Sequence, residues 1–318
     1  MSISSKHDAP VRSGRMFEAS GGVRLHLAEA GDPDAPPMLL LHGFPEFWGA
    51  WQDLMPRLAA GGRRVVAPDQ RGYNLSDKPA GVDAYGVRPL TADVVALVDA
   101  LNAEAGADRD PSRRCVLVAH DWGGAIGWNV AIRHPDKLSR FVILNAPHPW
   151  KFWKGLRDDP AQQAASEYMN WLRRPGCEKP LAADGFKLLE RFFLGMEGAP
   201  WFTPEVRAAY HAAWGQPGAL ESMVNWYRAS PLHPPLPQDA PSGAAAFELD
   251  PAQFVVRVPT LVLWGERDHA LLPPLAEGLD RFVPDLRLHR LPDCSHWLAH
   301  ERPDEIAGHI LDFCAVRP

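Results

Sequence analysis

Long apolar runs are missing from this chain: none reaches the roughly 18–20 residues that a membrane-spanning helix needs. No membrane partner is therefore expected. Charge of one sign is not gathered anywhere either. The 33 basic and 39 acidic residues leave a formal net charge of −6, without the basic block or stripe that would mark a nucleic-acid partner. Cysteine is scarce. Cys115, Cys177, Cys294 and Cys314 are scattered without paired spacing, which argues against a disulfide framework or a cysteine-based zinc site. All four are expected to be reduced thiols. The opening stretch MSISSKHDAPVRSGR has no apolar run behind its basic residues. A signal peptide is not expected there, and residues 1–15 read as a flexible polar arm on a cytoplasmic protein.

What is present is enough for a sizeable core, with 46% hydrophobic and 23% charged residues in 318. From Phe17 onward, short apolar runs alternate with helical patterns. Val23–Leu27 alternates, and Met38–Leu41 is a continuous apolar run of the kind found in buried strands. Arg64–Ala67, Cys115–Ala119 and Phe141–Leu144 continue the series. Trp48–Ala60, Leu90–Ala105 and Gly123–His134 read as helices between them. Strands spaced by helices predict a mostly parallel central sheet flanked by helices. The same grammar returns late in the chain, with Thr260–Trp264 and Leu286–Leu291 as strands. Pro273–Phe282 and Pro303–Phe313 read as helices there, the latter with proline in its first turn. Between Pro147 and Ala246 the pattern is helical, broken by Pro and Gly, and SPLHPPLPQDAPSGAAA reads as an extended return linker. The expectation is one α/β core, residues 16–146 and 250–318, interrupted by a helical cap at 147–249.

The chemistry-bearing motif is VLVAHDWGGAIGW. A buried strand ends near Ala119, Asp121 follows, and Gly123 and Gly124 come next. A sharp strand-to-helix turn needs such small neighbours, because its central residue is strained and raised above the sheet. The familiar form is G-x-S-x-G; here the centre is aspartate. Asp121 as a plain helix N-cap is the alternative. Chain order separates the two, since a nucleophile on this elbow is followed by an acid and then a histidine on late loops. Asp268 in GERD and His296 in PDCSHW stand at those places, each after a strand. In LLLHGFPEFW the backbone N–H of Phe44, paired with that of Trp122, is the natural oxyanion hole.

The segments HGFPEFW, DQRGYNLSDKP, HDWGG, GERD and CSHW resemble those of the epoxide hydrolase and haloalkane dehalogenase branch of the α/β-hydrolases, over nearly the whole chain from Phe17. The resemblance implies an α/β-hydrolase fold with an inserted helical cap, no cofactor, no metal, and a cis peptide before Pro45. An aspartate nucleophile suits displacement at sp³ carbon, where it forms an ordinary ester; on an acyl carbon it would give a labile anhydride. Water then opens the ester, with His296 as general base oriented by Asp268. Esterase and peptidase readings fall on this argument.

What leaves is decided by the insertion. ASEYMNWLRRPG resembles the epoxide hydrolase segment carrying the first ring-opening tyrosine, which matches Tyr168, and ESMVNWYRAS the second, which matches Tyr227. A phenol of pKa about 10 is neutral at pH 7 and can protonate an alkoxide. Tyr210, in RAAYHAAW, has no such match and reads as helix packing. Phe44 stands where haloalkane dehalogenases typically have asparagine. Trp122 and Ala125 stand where fluoroacetate dehalogenases would carry arginine. Phe47, Trp48, Trp150 and Trp153 are candidate pocket walls, beside Phe44 and Trp122. His148 sits at the cap hinge without a catalytic role. The expected activity is conversion of a small apolar epoxide and water to a vicinal diol, by a monomer or homodimer. Haloalkane dehalogenase is the alternative, and a non-catalytic ligand receptor on the same scaffold a remote one.

Overall fold

The computed structural model describes residues 10–194, 198–236 and 241–315. Eight strands form one sheet: β1 Arg12–Glu18, β2 Arg24–Ala30, β3 Pro37–Leu41, β4 Arg64–Pro68, β5 Cys115–His120, β6 Leu138–Leu144, β7 Thr260–Gly265 and β8 Leu286–Leu291. Their order is β1-β2-β4-β3-β5-β6-β7-β8. The pairings β1–β2 and β2–β4 are antiparallel, and every later pairing is parallel. This is the mostly parallel sheet expected from the sequence.

Alternation along each strand divides the core between two faces. Leu39, Leu41, Leu117 and Ala119 belong to one buried cluster, and Met38, Leu40, Val116 and Val118 to the other. Helices α1 Leu54–Ala60, α2 Val87–Glu104 and α3 Asp121–Arg133 follow β3, β4 and β5. Leu90, Val94, Leu97 and Leu101 put the apolar stripe of α2 into the first cluster; Leu54 and Leu58 of α1 go into the second. Between β6 and β7 the described residues contain no strand. They form α4 Pro149–Asp158, α5 Pro160–Ala165, α6 Glu167–Leu172, α7 Glu178–Leu194, α8 Pro204–Trp214 and α9 Ala219–Ala229. Prolines open α4, α5 and α8, where a missing N–H costs nothing. Asp184, Gly185 and Phe186 interrupt α7 with φ of 52°, 67° and 64°. The chain closes with α10 Leu298–Glu301 and α11 Pro303–Ala315.

The structure departs from the sequence reading in three places. Residues 12–15 of the expected arm are part of β1, an edge strand whose burial alternates only weakly; residues 1–9 lie outside the described residues. The expected helix Pro273–Phe282 is two short 3₁₀ turns, Pro273–Ala276 and Leu279–Arg281, parted by Gly278 at φ 63°. The expected helix Trp48–Ala60 begins as a 3₁₀ turn, Trp48–Trp51, whose free Trp48 N–H donates to Asp69 Oδ1 at 3.0 Å, and becomes α-helical only at Leu54–Ala60. Part of the expected return linker, residues 237–240, also lies outside the described residues. The four cysteines are free thiols, and among the described residues no helix is long and apolar enough to cross a membrane.

Candidate active site

Parallel strands deliver their C-terminal ends to one edge of the sheet, and the site is built there. β5 ends at His120, and Asp121 opens α3 with φ 47°, a left-handed conformation that a non-glycine residue holds only under constraint. Its neighbours must be small. A Cβ on Gly123 would lie 2.5 Å from the carbonyl oxygens of Leu41 and His42, and one on Gly124 2.2 Å from Ala146 Cβ. Gly43 is under the same demand, since a Cβ there would meet Asp121 Oδ1 at 2.4 Å. That close approach lets the Phe44 N–H donate to Asp121 Oδ1 at 2.8 Å. Trp122 is the second residue of α3, where a backbone N–H has no partner within the helix. The peptide between Phe44 and Pro45 is cis.

His296, in the turn before α10, places Nε2 3.7 Å from Asp121 Oδ2 and Nδ1 2.7 Å from Asp268 Oδ2. Asp268 follows β7 and is fully held. Oδ1 accepts from the Ala270 and Leu271 N–H groups at 2.9 and 2.8 Å, and Oδ2 accepts from Asn145 Nδ2 at 2.6 Å. Asn145, at the end of β6, is itself fixed by the Gly265 N–H at 2.7 Å. Burial works against ionisation of Asp268, but His296, Asn145 and the Leu271 amide hold its carboxyl below the usual range. Burial likewise pulls the His296 imidazole down; the carboxylates of Asp268, Asp121 and Glu46 outweigh it and push the group up to about 9. His296 is therefore an imidazolium at neutral pH, lying between the carboxylates of Asp268 and Asp121.

The insertion brings both expected tyrosines over this edge. The Tyr168 and Tyr227 rings stand 6.2 Å apart, and Tyr227 meets Phe44 at 5.1 Å and Trp122 at 5.0 Å, edge to face. The Tyr227 ring thus lies between Tyr168 and Trp122, whose indole N–H is a donor only. Burial raises both phenols, and the nearby Asp121 carboxylate raises them further, so both keep their protons.

Of the expected pocket walls, Trp150 and Trp153 lie elsewhere. Their indole N–H groups bond the carbonyls of Leu249 and of Ala244 and Phe247, their rings pack with each other, and Trp150 packs against Phe282. They fasten the return segment, because a buried indole N–H needs an acceptor and the linker backbone offers several. Phe47 packs on Trp48 and Tyr210, not on the paired phenols. The ring that completes the surround is Phe192, against Phe44 at 5.4 Å and Tyr168 at 6.0 Å. Nothing in its sequence context marked it. His148 is buried at the hinge, donating from Nε2 to the Phe254 carbonyl at 2.9 Å; burial lowers its pKa to about 4.

Glu46 and His120 also escaped sequence reasoning, although both stand inside motifs that it singled out. Glu46 is buried beside the site, with Oε2 3.0 Å from His120 Nδ1 and Oε1 2.9 Å from His300 Nε2. His120 Nε2 donates to the His296 carbonyl at 2.9 Å, and the two rings lie 4.6 Å apart.

The comparisons agree with this architecture. The alpha/beta hydrolase fold family model matches residues 36–303. YfhM, an AB hydrolase superfamily protein of Bacillus subtilis (strain 168), is 35% identical over 93% of this chain and 96% of its own length. Epoxide hydrolase 4 of Mus musculus is 34% identical over 92% of this chain and 76% of its own. Among solved structures, a novel epoxide hydrolase of the alpha/beta hydrolases superfamily from metagenomes of hot environments is 34% identical. It superposes with a TM-score of 0.83 over 97% of this chain and 100% of the other. With its sheet, its elbow and these relatives, the chain belongs to the α/β-hydrolase fold family, in its epoxide hydrolase branch.

Proposed function

We propose that the protein is an epoxide hydrolase working through an ester on Asp121. The observation that carries this reading is the pair of phenols, Tyr227 buried and Tyr168 half-buried, packed edge to face with each other and, through Tyr227, with Phe44 and Trp122 beside Asp121, whose carboxylate raises both. The Phe44 N–H occupies Oδ1, which leaves Oδ2 to attack an epoxide carbon. As that C–O bond forms, the ring C–O bond breaks and a phenol proton passes to the alkoxide. Alkylation removes the Asp121 charge, one of the carboxylates that hold His296 protonated. The imidazole then becomes available as a base. Its proton returns the phenolate to a phenol, and the neutral ring takes a proton from water; the hydroxide adds to the ester carbonyl, and the tetrahedral intermediate expels the diol oxygen, which takes the added hydroxyl's proton and restores the Asp121 carboxylate. Asp268 orients the ring throughout and stabilises the imidazolium. The helices between β6 and β7 act as the cap of this site, and the aromatic surround of Phe44, Trp122 and Phe192 fits a small apolar substrate.

Haloalkane dehalogenation is the weaker reading, because a departing halide needs no proton, whereas an epoxide oxygen does and the two phenols can supply it. Two measurements test the reading. His296→Gln incubated with styrene oxide is expected to trap an adduct on Asp121, visible by mass spectrometry, and with a bromoalkane to trap none. An adduct from the bromoalkane alone would overturn the assignment. Tyr168→Phe combined with Tyr227→Phe is expected to abolish diol formation nearly completely, and full activity would remove the tyrosines from the mechanism.

A further inference from the structure

Tyr210 read as packing, yet its hydroxyl ends 3.5 Å from Glu46 Oε1 and 3.4 Å from His300 Nε2. It joins a carboxylate that is only 2% exposed and receives four donors. Oε2 accepts from His120 Nδ1 at 3.0 Å and the Gly43 N–H at 3.4 Å; Oε1 accepts from His300 Nε2 at 2.9 Å and from Tyr210. Burial opposes ionisation of Glu46, but the two histidines outweigh it and hold the carboxyl well below its usual value. The geometry agrees with that direction. Both ring nitrogens of His120 are engaged, Nδ1 with Glu46 Oε2 and Nε2 with the His296 carbonyl.

His300 is placed with equal care. It lies one turn after His296, and its ring stacks on Trp201 of the insertion, 4.0 Å between centroids and 8° from parallel. The contact joins the insertion to Glu46, and Glu46 through His120 to the backbone of His296. We propose that His300 is a positioning residue for the hydrolytic half-reaction: held on Trp201, it fixes Glu46, and through Glu46 and His120 it sets the place of His296 and the charge that His296 feels. This assignment rests on the reading of Asp121 and His296 given above. The groups facing Glu46 are His42 and Tyr73 after β3 and β4, His120 from β5, Tyr210 from α8, His296 just before α10 and His300 in it. Of these, His300 is the donor on the Oε1 side that binds most closely. Without it the Oε1 charge is less shielded, and imidazolium is favoured at His296.

The test separates the two half-reactions. Rapid quenching and mass spectrometry follow the ester on Asp121 with styrene oxide, between pH 6 and 10, in the unsubstituted enzyme, His300→Leu and His300→Gln. His300→Leu is expected to form the ester within about twofold of the normal rate and to hydrolyse it about tenfold more slowly, the scale of one charge-assisted hydrogen bond. The pH limb belonging to His296 moves upward in this variant. His300→Gln keeps an N–H donor and recovers most of the loss. Normal hydrolysis with an unmoved limb in His300→Leu overturns the assignment. So does equal slowing of both half-reactions in both variants with the limb unmoved, which is the signature of packing alone. If the unsubstituted enzyme forms no ester, the reading of Asp121 fails, and this assignment with it.

Discussion

At the scale of single residues, the site depends on what is absent from Gly43 as much as on what Asp121 carries. A methyl group there would stand 2.3 Å from Asp121 Cβ, so either the Phe44 amide or the Asp121 carboxylate must move. Gly43→Ala is expected to lower kcat by about a hundredfold or more, the scale of a lost oxyanion-hole donor, with the far-UV circular dichroism spectrum unchanged. Near-normal turnover would show that the Phe44 amide is dispensable. The His296 imidazole makes a second prediction. Its pKa is raised by the fold to about 9 from 6.5, so its contribution to stability is complete below pH 6.5 and fades as pH rises through about 9. Asp121→Asn removes one of the carboxylates responsible. NMR titration of the ring should give a lower midpoint in that variant, and denaturant unfolding should show a smaller loss of stability between pH 6.5 and 9.5. An unchanged midpoint would mean that Asp121 does not share its field with His296.

At the scale of elements, α3 must approach β6 closely for the elbow to form. Gly124 on α3 and Ala146 just beyond β6 are the contact, since a methyl group on Gly124 would stand only 2.2 Å from Ala146 Cβ. Gly124→Ala should destabilise the fold by about 1–3 kcal/mol, the usual cost of overpacking. Ala146→Gly removes the atom it strikes and should restore part of that loss, a coupling measurable by a double-mutant cycle in urea. Simple additivity would show that the two elements do not meet there. The insertion is joined to the core just as locally. Trp214 donates to the Pro45 carbonyl at 2.6 Å, Trp297 to the Phe192 carbonyl at 3.0 Å, and Trp226 to the Arg71 carbonyl at 3.0 Å. Several of the tryptophans so abundant in the sequence are therefore fasteners between helices and loops, each donating its N–H to a carbonyl across the boundary.

At the scale of the molecule, one buried cluster runs from Leu39 and Leu117 of the sheet to Leu172, Tyr210 and Trp226 of the insertion. Core and insertion share this interior. Thermal unfolding followed by tryptophan fluorescence and by far-UV circular dichroism is therefore expected to give coincident single transitions. Two resolved transitions would show that the insertion folds independently. The same continuity explains why the phenols can be placed so closely. Tyr227 is packed between rings of the core, Phe44 and Trp122, and not carried on a free flap.

The sequence by itself determined the sheet, the elbow and the order of Asp121, Asp268 and His296, because buried parallel strands write continuous apolar runs and a sharp strand-to-helix turn demands small neighbours at fixed offsets. It also marked Tyr168 and Tyr227 through their local segments. Only the tertiary structure decided what long-range contact alone can settle. The edge strand β1, half exposed and weakly alternating, was invisible until β2 lay beside it. Pro273–Phe282 had helical content, but Gly278 and the two prolines divide it into 3₁₀ turns. Trp150 and Trp153 were aromatic neighbours of the cap entrance in sequence and turned out to hold the return segment in space. Glu46, His120, Asn145 and His300 carry no signal of their own, since a buried polar side chain is recognised by its partners, and those partners come from strands and helices far apart in the chain.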